Sequence, residues 1–473
     1  MRRWTPDATP RVVRVLIAIS ITGAVLASAA CGSGGDPSAS SSSAADQGST
    51  TTTVSTAPNL YEEQRAAAVT VVLDDLGAAL LRGDRTAVAG LLDASAPTAF
   101  RDRLMVAADN FGARAADSRG RGSGLRPATF RFALAPTEEA EALVAPAVQA
   151  KLDAQGSSDS WVAPVELHHA LGGAALPGLA EPEIVTSAQL VLARYGDGWK
   201  IVGDATMSGG PEPQIQLWGL PGLAALDVPT AGGVSVIASY PGTAATVGHL
   251  PRLLPGAVAV VTAFWGSDWP QRAAVVTTGR PAEFEALASG ATGPGAAAAT
   301  VFDRIDTRNR TAVGVRVVLT PQARALPEPA LGVVLRHELT HVAARTSTAV
   351  GAPMWITEGV PEYVGRKGTY RRFADAAPQL ADRIIEDGPP GRLPEDAEFA
   401  VAGPDSQLAY QSAWSFAAFV AQKWDEPRLR QLYLGVAGTA DTARQNDAIR
   451  ATLGIGRDAL VTEWRRWLVD QVR

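Results

Sequence analysis

The segment that most constrains the fold runs from Leu331 to Arg345 and carries two histidines, His337 and His341, four residues apart. On an α-helix, side chains at this spacing project from one face, so both imidazoles can reach the same metal ion. The flanking valines and leucines would bury the opposite face. The spacing predicts a packed helix with a metal-binding face. The alternative is a surface helix in which the pattern arises by chance.

Glu338 stands directly after the first histidine. A carboxylate there is poorly placed to bind the metal together with both histidines, but well placed to reach a water molecule on it. It can then act as a general base, taking the proton of the water and passing it to a leaving amine. Zinc would lower the pKa of that water and polarise a scissile carbonyl.

A second segment, from Trp355 to Tyr363, supplies two carboxylates, Glu358 and, one helical turn later, Glu362. Two histidines leave a catalytic zinc ion one protein ligand short, and a carboxylate from a second helix can complete the set. A ligand imidazole also needs a partner for its other nitrogen. The alternative for Glu362 is a solvated carboxylate on the helix surface.

The two motifs, H-E-L-T-H and P-x-W-x-x-E-G-x-x-E-Y, together resemble the gluzincin metallopeptidases, which include thermolysin and the zinc aminopeptidases. They look like the peptidase MA-like domains of bacterial exported proteins. The resemblance covers residues 230–473 and implies one Zn2+ per chain, a thermolysin-like fold with a mostly helical C-terminal part, and peptide-bond hydrolysis by an endopeptidase. It assigns Glu358 as third ligand and Glu362 as the carboxylate orienting a ligand histidine. Ala344 and Ser347 exclude the metzincin pattern.

Tyr410 is a further candidate, in a segment that resembles the aminopeptidase helix whose tyrosine donates to the tetrahedral oxyanion. The alternative is a core tyrosine, since Trp414 and Phe416 nearby are packing residues. No G-x-M-E-N segment for gripping a free amine precedes the histidine helix, so exopeptidase activity is not expected. Residues 313–319 are predicted to form the edge strand over the cleft, where a peptide could pair.

The N-terminus carries basic residues, an apolar run over residues 15–30 and then Cys31, the only cysteine. This stretch resembles a bacterial lipoprotein signal in which the cysteine is lipidated, although Ser28 departs from the usual aliphatic residue. The alternatives are ordinary cleavage after residues 27–29, which leaves a soluble secreted protein, or an uncleaved membrane anchor. Residues 32–58, rich in Ser and Thr, are predicted to form a flexible tether.

Residues 59–210 show a helical pattern over 62–92 with a break at 83–84, followed by strand patterns over 128–133, 184–194 and 199–202. The pattern resembles a nuclear transport factor 2-like cone. His168 and His169 fall in this region and, if on a strand, point to opposite faces, so they are not expected to share a metal. Residues 211–229, rich in Pro and Gly, are a predicted linker.

The sequence therefore predicts an α+β protein in which a cone-like domain precedes the metallopeptidase domain. A net charge of −6 argues against a nucleic-acid partner. The expected partners are a peptide or protein substrate and, through Cys31, the outer face of the cytoplasmic membrane. The alternative function is a tethered binding or assembly module that does not turn over a substrate.

Overall fold

A computed structural model describes residues 59–112, 124–136, 143–172, 180–288, 297–306, 309–400 and 403–473. The predicted signal, Cys31 and the predicted tether lie outside the described residues. The described chain mixes helices with a four-stranded sheet, a five-stranded sheet and a two-stranded ribbon. The α+β fold class predicted from the sequence is confirmed.

The N-terminal part of the chain packs helices against the antiparallel four-stranded sheet, whose strand order is β1-β2-β3-β4. The predicted break in the first helical pattern is confirmed at Gly83, which ends α1 in the left-handed conformation at φ 66°. The elements are α1 (Leu60–Arg82), α2 (Arg85–Leu91), α3 (Thr98–Gly112), β1 (Thr129–Leu134), α4 (Pro146–Ala154), β2 (Asp159–Ala170), β3 (Ile184–Tyr195) and β4 (Gly198–Asp204).

The second sheet is mixed and has the strand order β5-β6-β7-β11-β8, and the ribbon pairs β9 with β10. Strand β7 runs parallel to β6 and β11, whereas β5 and β8 are antiparallel to their neighbours. The elements are β5 (Ala224–Thr230), β6 (Gly233–Ser239), α5 (Ala244–Trp265), β7 (Ala274–Thr277), α6 (Pro281–Ala288), β8 (Ala298–Val301), β9 (Arg304–Asp306), β10 (Thr311–Val313) and β11 (Arg316–Leu319).

The prediction that residues 313–319 form the edge strand was wrong. Gly314, at φ 70°, separates β10 from β11, and β11 is hydrogen-bonded on both sides, to β7 and to β8. The strand at this edge of the sheet is β8, which pairs only with β11 among the described strands, and β5 forms the opposite edge. Its sequence, Ala-Ala-Thr-Val, is short and alanine-rich, so strand propensity gave little signal for it.

Side chains alternate across the five-stranded sheet and so divide between two hydrophobic cores. Ile237, Val275 and Val317 face a helical layer, whereas Val236, Val276 and Val318 face the N-terminal part. Both faces of the sheet are therefore covered, one by each part of the chain.

The predicted linker, residues 211–229, packs into the core between the five-stranded sheet and the N-terminal part of the chain. Trp218, in the 3-10 turn Leu217–Gly219, is buried and its ring lies against Phe111 and Phe130. The buried Asn110 amide donates to the carbonyl oxygens of Trp218 and Leu220. Residues 224–229 of the predicted linker belong to β5.

The helical layer surrounds α7, the helix that carries both histidines of the motif, as predicted. Helix α5 packs against α7 and, of the helices that the structure describes, it alone is long and apolar enough to cross a membrane. Its Leu250 and Leu254 lie in the core. The elements are α7 (Glu328–Ala344), α8 (Met354–Thr357), α9 (Gly359–Arg366), α10 (Phe373–Ala376), α11 (Pro378–Asp387), α12 (Asp396–Ala400), α13 (Pro404–Lys423), α14 (Glu426–Ala437), α15 (Thr442–Leu453) and α16 (Arg457–Gln471).

Candidate metal centre

Helix α7 places the two predicted histidine ligands one turn apart on its buried face. The Nε2 atoms of His337 and His341 lie 2.9 Å apart, and both side chains are almost fully buried. Two imidazoles directed at one point in a protein interior have the arrangement that a shared metal ion requires.

The third predicted ligand, Glu358, stands at the junction of α8 and α9. Its Oε2 lies 3.4 Å from Nε2 of His337 and 3.5 Å from Nε2 of His341. Ligand atoms around a tetrahedral zinc ion at about 2.0–2.1 Å are separated by about 3.3 Å. The three atoms are therefore spaced as a zinc ion needs, and Oε2 of Glu358 has no hydrogen-bond partner among the described residues. The donor set fits the metal.

Two glycines let α9 approach both of its neighbours closely. A Cβ at Gly359 would lie 2.6 Å from the carbonyl oxygen of Ala413 on α13, and one at Gly365 would lie 3.0 Å from the carbonyl oxygen of Val333 on α7. A side chain at either position would push α9 away. The close packing holds Glu358 at the end of the helix opposite His337.

The charges at the centre respond to one another. Burial lowers the pKa of His337, but the neighbouring carboxylates of Glu358 and Glu362 outweigh it and raise that pKa to about 10. Burial raises the pKa of Glu358, and the two histidines reverse this and lower it. The carboxylates thus stabilise positive charge at the point where the three ligand atoms meet, whether a proton or a metal ion carries it.

Glu338 lies beside the ligand set with its two carboxylate oxygens in different surroundings. Oε2 accepts a hydrogen bond of 2.6 Å from the hydroxyl of Thr300 on β8, whereas Oε1 is buried and has no partner among the described residues. Burial raises the pKa of Glu338, against the opposing effect of the two histidines and Thr300. One oxygen is held and the other is free to take a proton.

Glu362 is placed behind His337, on the side away from the other ligands. Its Oε1 lies 3.5 Å from Nδ1 of His337, and both atoms lack hydrogen-bond partners among the described residues. Its other oxygen accepts from Nε of Arg366, one turn later on α9, whose guanidinium also donates to the carbonyl oxygen of Ala376. Although burial opposes it, Arg366 and His337 lower the pKa of Glu362 to about 2. The carboxyl is a buried ion rather than a solvated one.

Tyr410 lies on α13 and is buried in a small cluster with Phe399, Ala409 and Ala413. Its ring packs edge-to-face on Phe399, and Met354, on the helix that leads to Glu358, packs against this cluster. The predicted role as an oxyanion donor stays a prediction.

Three residues near the centre were not predicted from the sequence: Thr300, Arg366 and Tyr433. The Tyr433 hydroxyl shares a 2.8 Å hydrogen bond with the hydroxyl of Thr348, and its pKa is raised by burial and by the charge of Glu358. Only Arg366 had a sequence signal, because it lies four residues after Glu362 on a helix.

His168 and His169 lie on β2 and face opposite sides, as predicted. His168 contacts the carboxylates of Glu166 and Glu183, at 3.0 and 2.6 Å. His169 is buried against the ring of Trp218. Neither histidine belongs to the metal-ligand set that the described residues form.

Access to the centre is restricted in this conformation. His337, Glu338, His341 and Glu358 are each at most 3% exposed. Two cavities of about 510 and 550 Å³, one beside Arg272 and one beside Trp355, are lined by none of these four residues.

The chain matches no protein-family model and no curated protein. Similar solved structures include an M1 zinc metallopeptidase from Deinococcus radiodurans, at 13% identity over 58% of this chain and 58% of that chain with a TM-score of 0.31. A mutant of the M1 zinc metallopeptidase from the same organism is 14% identical over 60% of this chain and 57% of that chain, with a TM-score of 0.32. A two-domain M1 zinc metallopeptidase mutant bound to L-arginine is 12% identical over 59% of this chain and 58% of that chain, with a TM-score of 0.30. The chain spans 57–58% of the length of these proteins.

Proposed function

We propose that this protein is a zinc-dependent metallopeptidase of the gluzincin kind, acting as an endopeptidase on peptide or protein substrates. The observation that carries the proposal is the meeting of His337, His341 and Glu358 around one point, with the free Oε1 of Glu338 beside them. Three protein ligands with a base beside them are the arrangement of a hydrolytic zinc site.

His337, His341 and Glu358 would hold one Zn2+ per chain. When bound, zinc supplies Lewis acidity, which lowers the pKa of water and polarises a carbonyl. Glu338 accepts the proton of the attacking water at Oε1 as the new C–O bond forms, and then delivers that proton to the amine nitrogen as the peptide C–N bond breaks. Glu362 orients His337 from behind, and Tyr410 donates to the oxyanion.

The test uses the full chain and a mixture of denatured proteins as substrate. We expect about one zinc per chain by elemental analysis, and cleavage that a chelator stops and added zinc restores. Stoichiometric zinc without chelator-sensitive cleavage would contradict the peptidase reaction. Absence of zinc would contradict the site itself.

A second function, a binding or assembly module without turnover, is favoured by one observation. All three ligands and Glu338 are buried, and closed zinc sites are typical of structural centres. The same assay decides between the two, because only the peptidase gives chelator-sensitive products.

We further propose that the protein is exported and held by a lipid on Cys31 at the outer face of the cytoplasmic membrane, with residues 32–58 as a tether. The support is the signal-like N-terminus and the position of the only cysteine. Replacing Cys31 with Ala should move the protein from the membrane fraction to the medium. An unchanged distribution would contradict lipidation, and a soluble wild type would favour secretion.

We propose a nuclear transport factor 2-like cone for residues 59–210, before a peptidase MA-like domain. The support is the order of elements, with helices α1 to α3 preceding the antiparallel sheet β1 to β4. Such folds serve enzymes and binding modules alike, so the likeness assigns no activity.

A further inference from the structure

The edge strand β8 reaches the proposed general base through one side chain, Thr300. Along β8, Ala298 faces the helical layer, Ala299 faces the N-terminal part, and Thr300 faces the helical layer again. Thr300 is only 3% exposed, and its backbone pairs in register with Val317 of β11. The sheet therefore fixes where its hydroxyl lies.

The hydroxyl contacts Glu338 at two atoms. Oγ1 lies 2.6 Å from Oε2 and 3.3 Å from the backbone oxygen of Glu338. A threonine hydroxyl carries one proton, and the carboxylate oxygen, at the shorter distance, is the stronger of the two acceptors. The proton of Thr300 is therefore directed at Oε2.

The other oxygen is left in a different state. Oε1 of Glu338 is buried and has no hydrogen-bond partner among the described residues. A buried acceptor without a partner is costly, which favours a hydrogen bond from a water or substrate at that atom. The two carboxylate oxygens have separate tasks, one for anchoring and one for chemistry.

We propose that Thr300 is a positioning residue that anchors Oε2 of Glu338, so that Oε1 alone acts as the base. This inference rests on the proposed function. Without the hydroxyl, the carboxylate could rotate about its terminal bond, whose torsion has broad and shallow preferences. Glu338 would then spend less time in the orientation that accepts the proton.

The test compares variants of the full-length, zinc-loaded protein. Thr300→Val removes the hydroxyl and keeps the branched shape, whereas Thr300→Ser keeps the hydroxyl. Thr277→Val is the matched control, because Thr277 is a buried threonine of the same sheet whose hydroxyl bonds the carbonyl oxygen of Ala238 at 3.4 Å. Turnover of a pool of fluorescence-quenched peptides gives kcat and KM.

A second readout needs no turnover. Acetohydroxamate chelates zinc and gives its proton to a neighbouring base, so its Kd, measured by calorimetry, reports the placement of Oε1. We expect Thr300→Val to lower kcat about 30-fold and to weaken acetohydroxamate about tenfold, with KM and zinc content unchanged. Thr300→Ser should stay within about threefold of wild type, as should Thr277→Val.

Equal effects of Thr300→Val and Thr277→Val, or equal losses in Thr300→Val and Thr300→Ser, would overturn the proposal. If Thr300→Val does not fold, Thr300→Ala against Thr300→Ser carries the same comparison, since both shorten the side chain and only serine keeps the hydroxyl. A wild type that binds zinc and acetohydroxamate but cleaves no peptide would sink the peptidase function, and the hydroxamate affinities would still decide the role of Thr300. A wild type without zinc would overturn both.

Discussion

The chain contains two histidine pairs in opposite settings. His168 and His169 are adjacent on strand β2 and point to opposite faces of a sheet. His337 and His341 are four apart on helix α7 and point to the same place, with Nε2 atoms 2.9 Å from each other. The same residue type produces a candidate metal centre only where the backbone period brings the rings together.

The surroundings of the two pairs separate them further. Burial lowers the pKa of His169 to about 4, with a smaller contribution from Arg316, so the ring is held neutral. Carboxylates at the helix pair raise the pKa of His337 to about 10 despite complete burial. Burial alone makes a neutral core histidine, whereas burial with carboxylates makes a site for a cation.

The largest effect is expected at Glu338, the proposed base beside His337 and His341. Glu338→Gln should keep zinc and lower kcat by about 10³-fold, because an amide cannot accept the proton. Elemental analysis and peptide turnover measure the two quantities. Persistent activity would remove Glu338 as the base.

A glutamate lies beside each histidine pair, but its removal should weaken zinc binding only at the pair on α7. Glu358→Ala should weaken zinc binding by more than about 10²-fold, because a buried ligand is lost. Glu183→Ala, beside His168, is the matched control and should leave zinc affinity unchanged. Competition with a chromogenic chelator measures both. Wild-type affinity in Glu358→Ala would break the assignment of the third ligand.

The raised pKa of His337 predicts how zinc binding depends on pH. Zinc needs the neutral ring, so below about pH 10 it must displace a proton. The apparent Kd should therefore fall by about tenfold for each pH unit between 7 and 9. Glu362→Gln removes one of the charges that hold this proton, and its slope should be shallower. Identical slopes would argue against Glu362 acting on His337.

The smallest effect is expected at the strand pair. Folded His169 stays neutral down to about pH 4, whereas the unfolded ring gains a proton below about 6.5, so this residue costs stability as pH falls through that window. His169→Leu should change the free energy of unfolding at pH 7 by about 1 kcal/mol or less, because both ring nitrogens lack partners among the described residues. At pH 5 the free energy of unfolding of the variant should rise relative to that of the wild type. Urea unfolding at both pH values measures this, and an unchanged pH dependence would refute the neutral buried ring.

Two kinds of feature could be predicted from the chain alone. Helical periodicity placed His337, Glu338 and His341 on α7, and the break at Gly83 followed from local residue preferences. Periodicity and caps are properties of a short segment, so the sequence determines them before any tertiary contact forms.

Strand neighbours and buried contacts depended on tertiary structure. The interior position of β11 and the edge position of β8 are set by pairing between distant segments. For that reason the hydrogen bond from Thr300 to Glu338, which spans 38 residues of sequence, had no local signal. The sequence by itself determined which side chains could bind a metal and act as a base. Only the packing of α9 between α7 and α13, and of β8 beside α7, decided that they meet and which oxygen of Glu338 remains free, because those contacts join segments far apart in the chain.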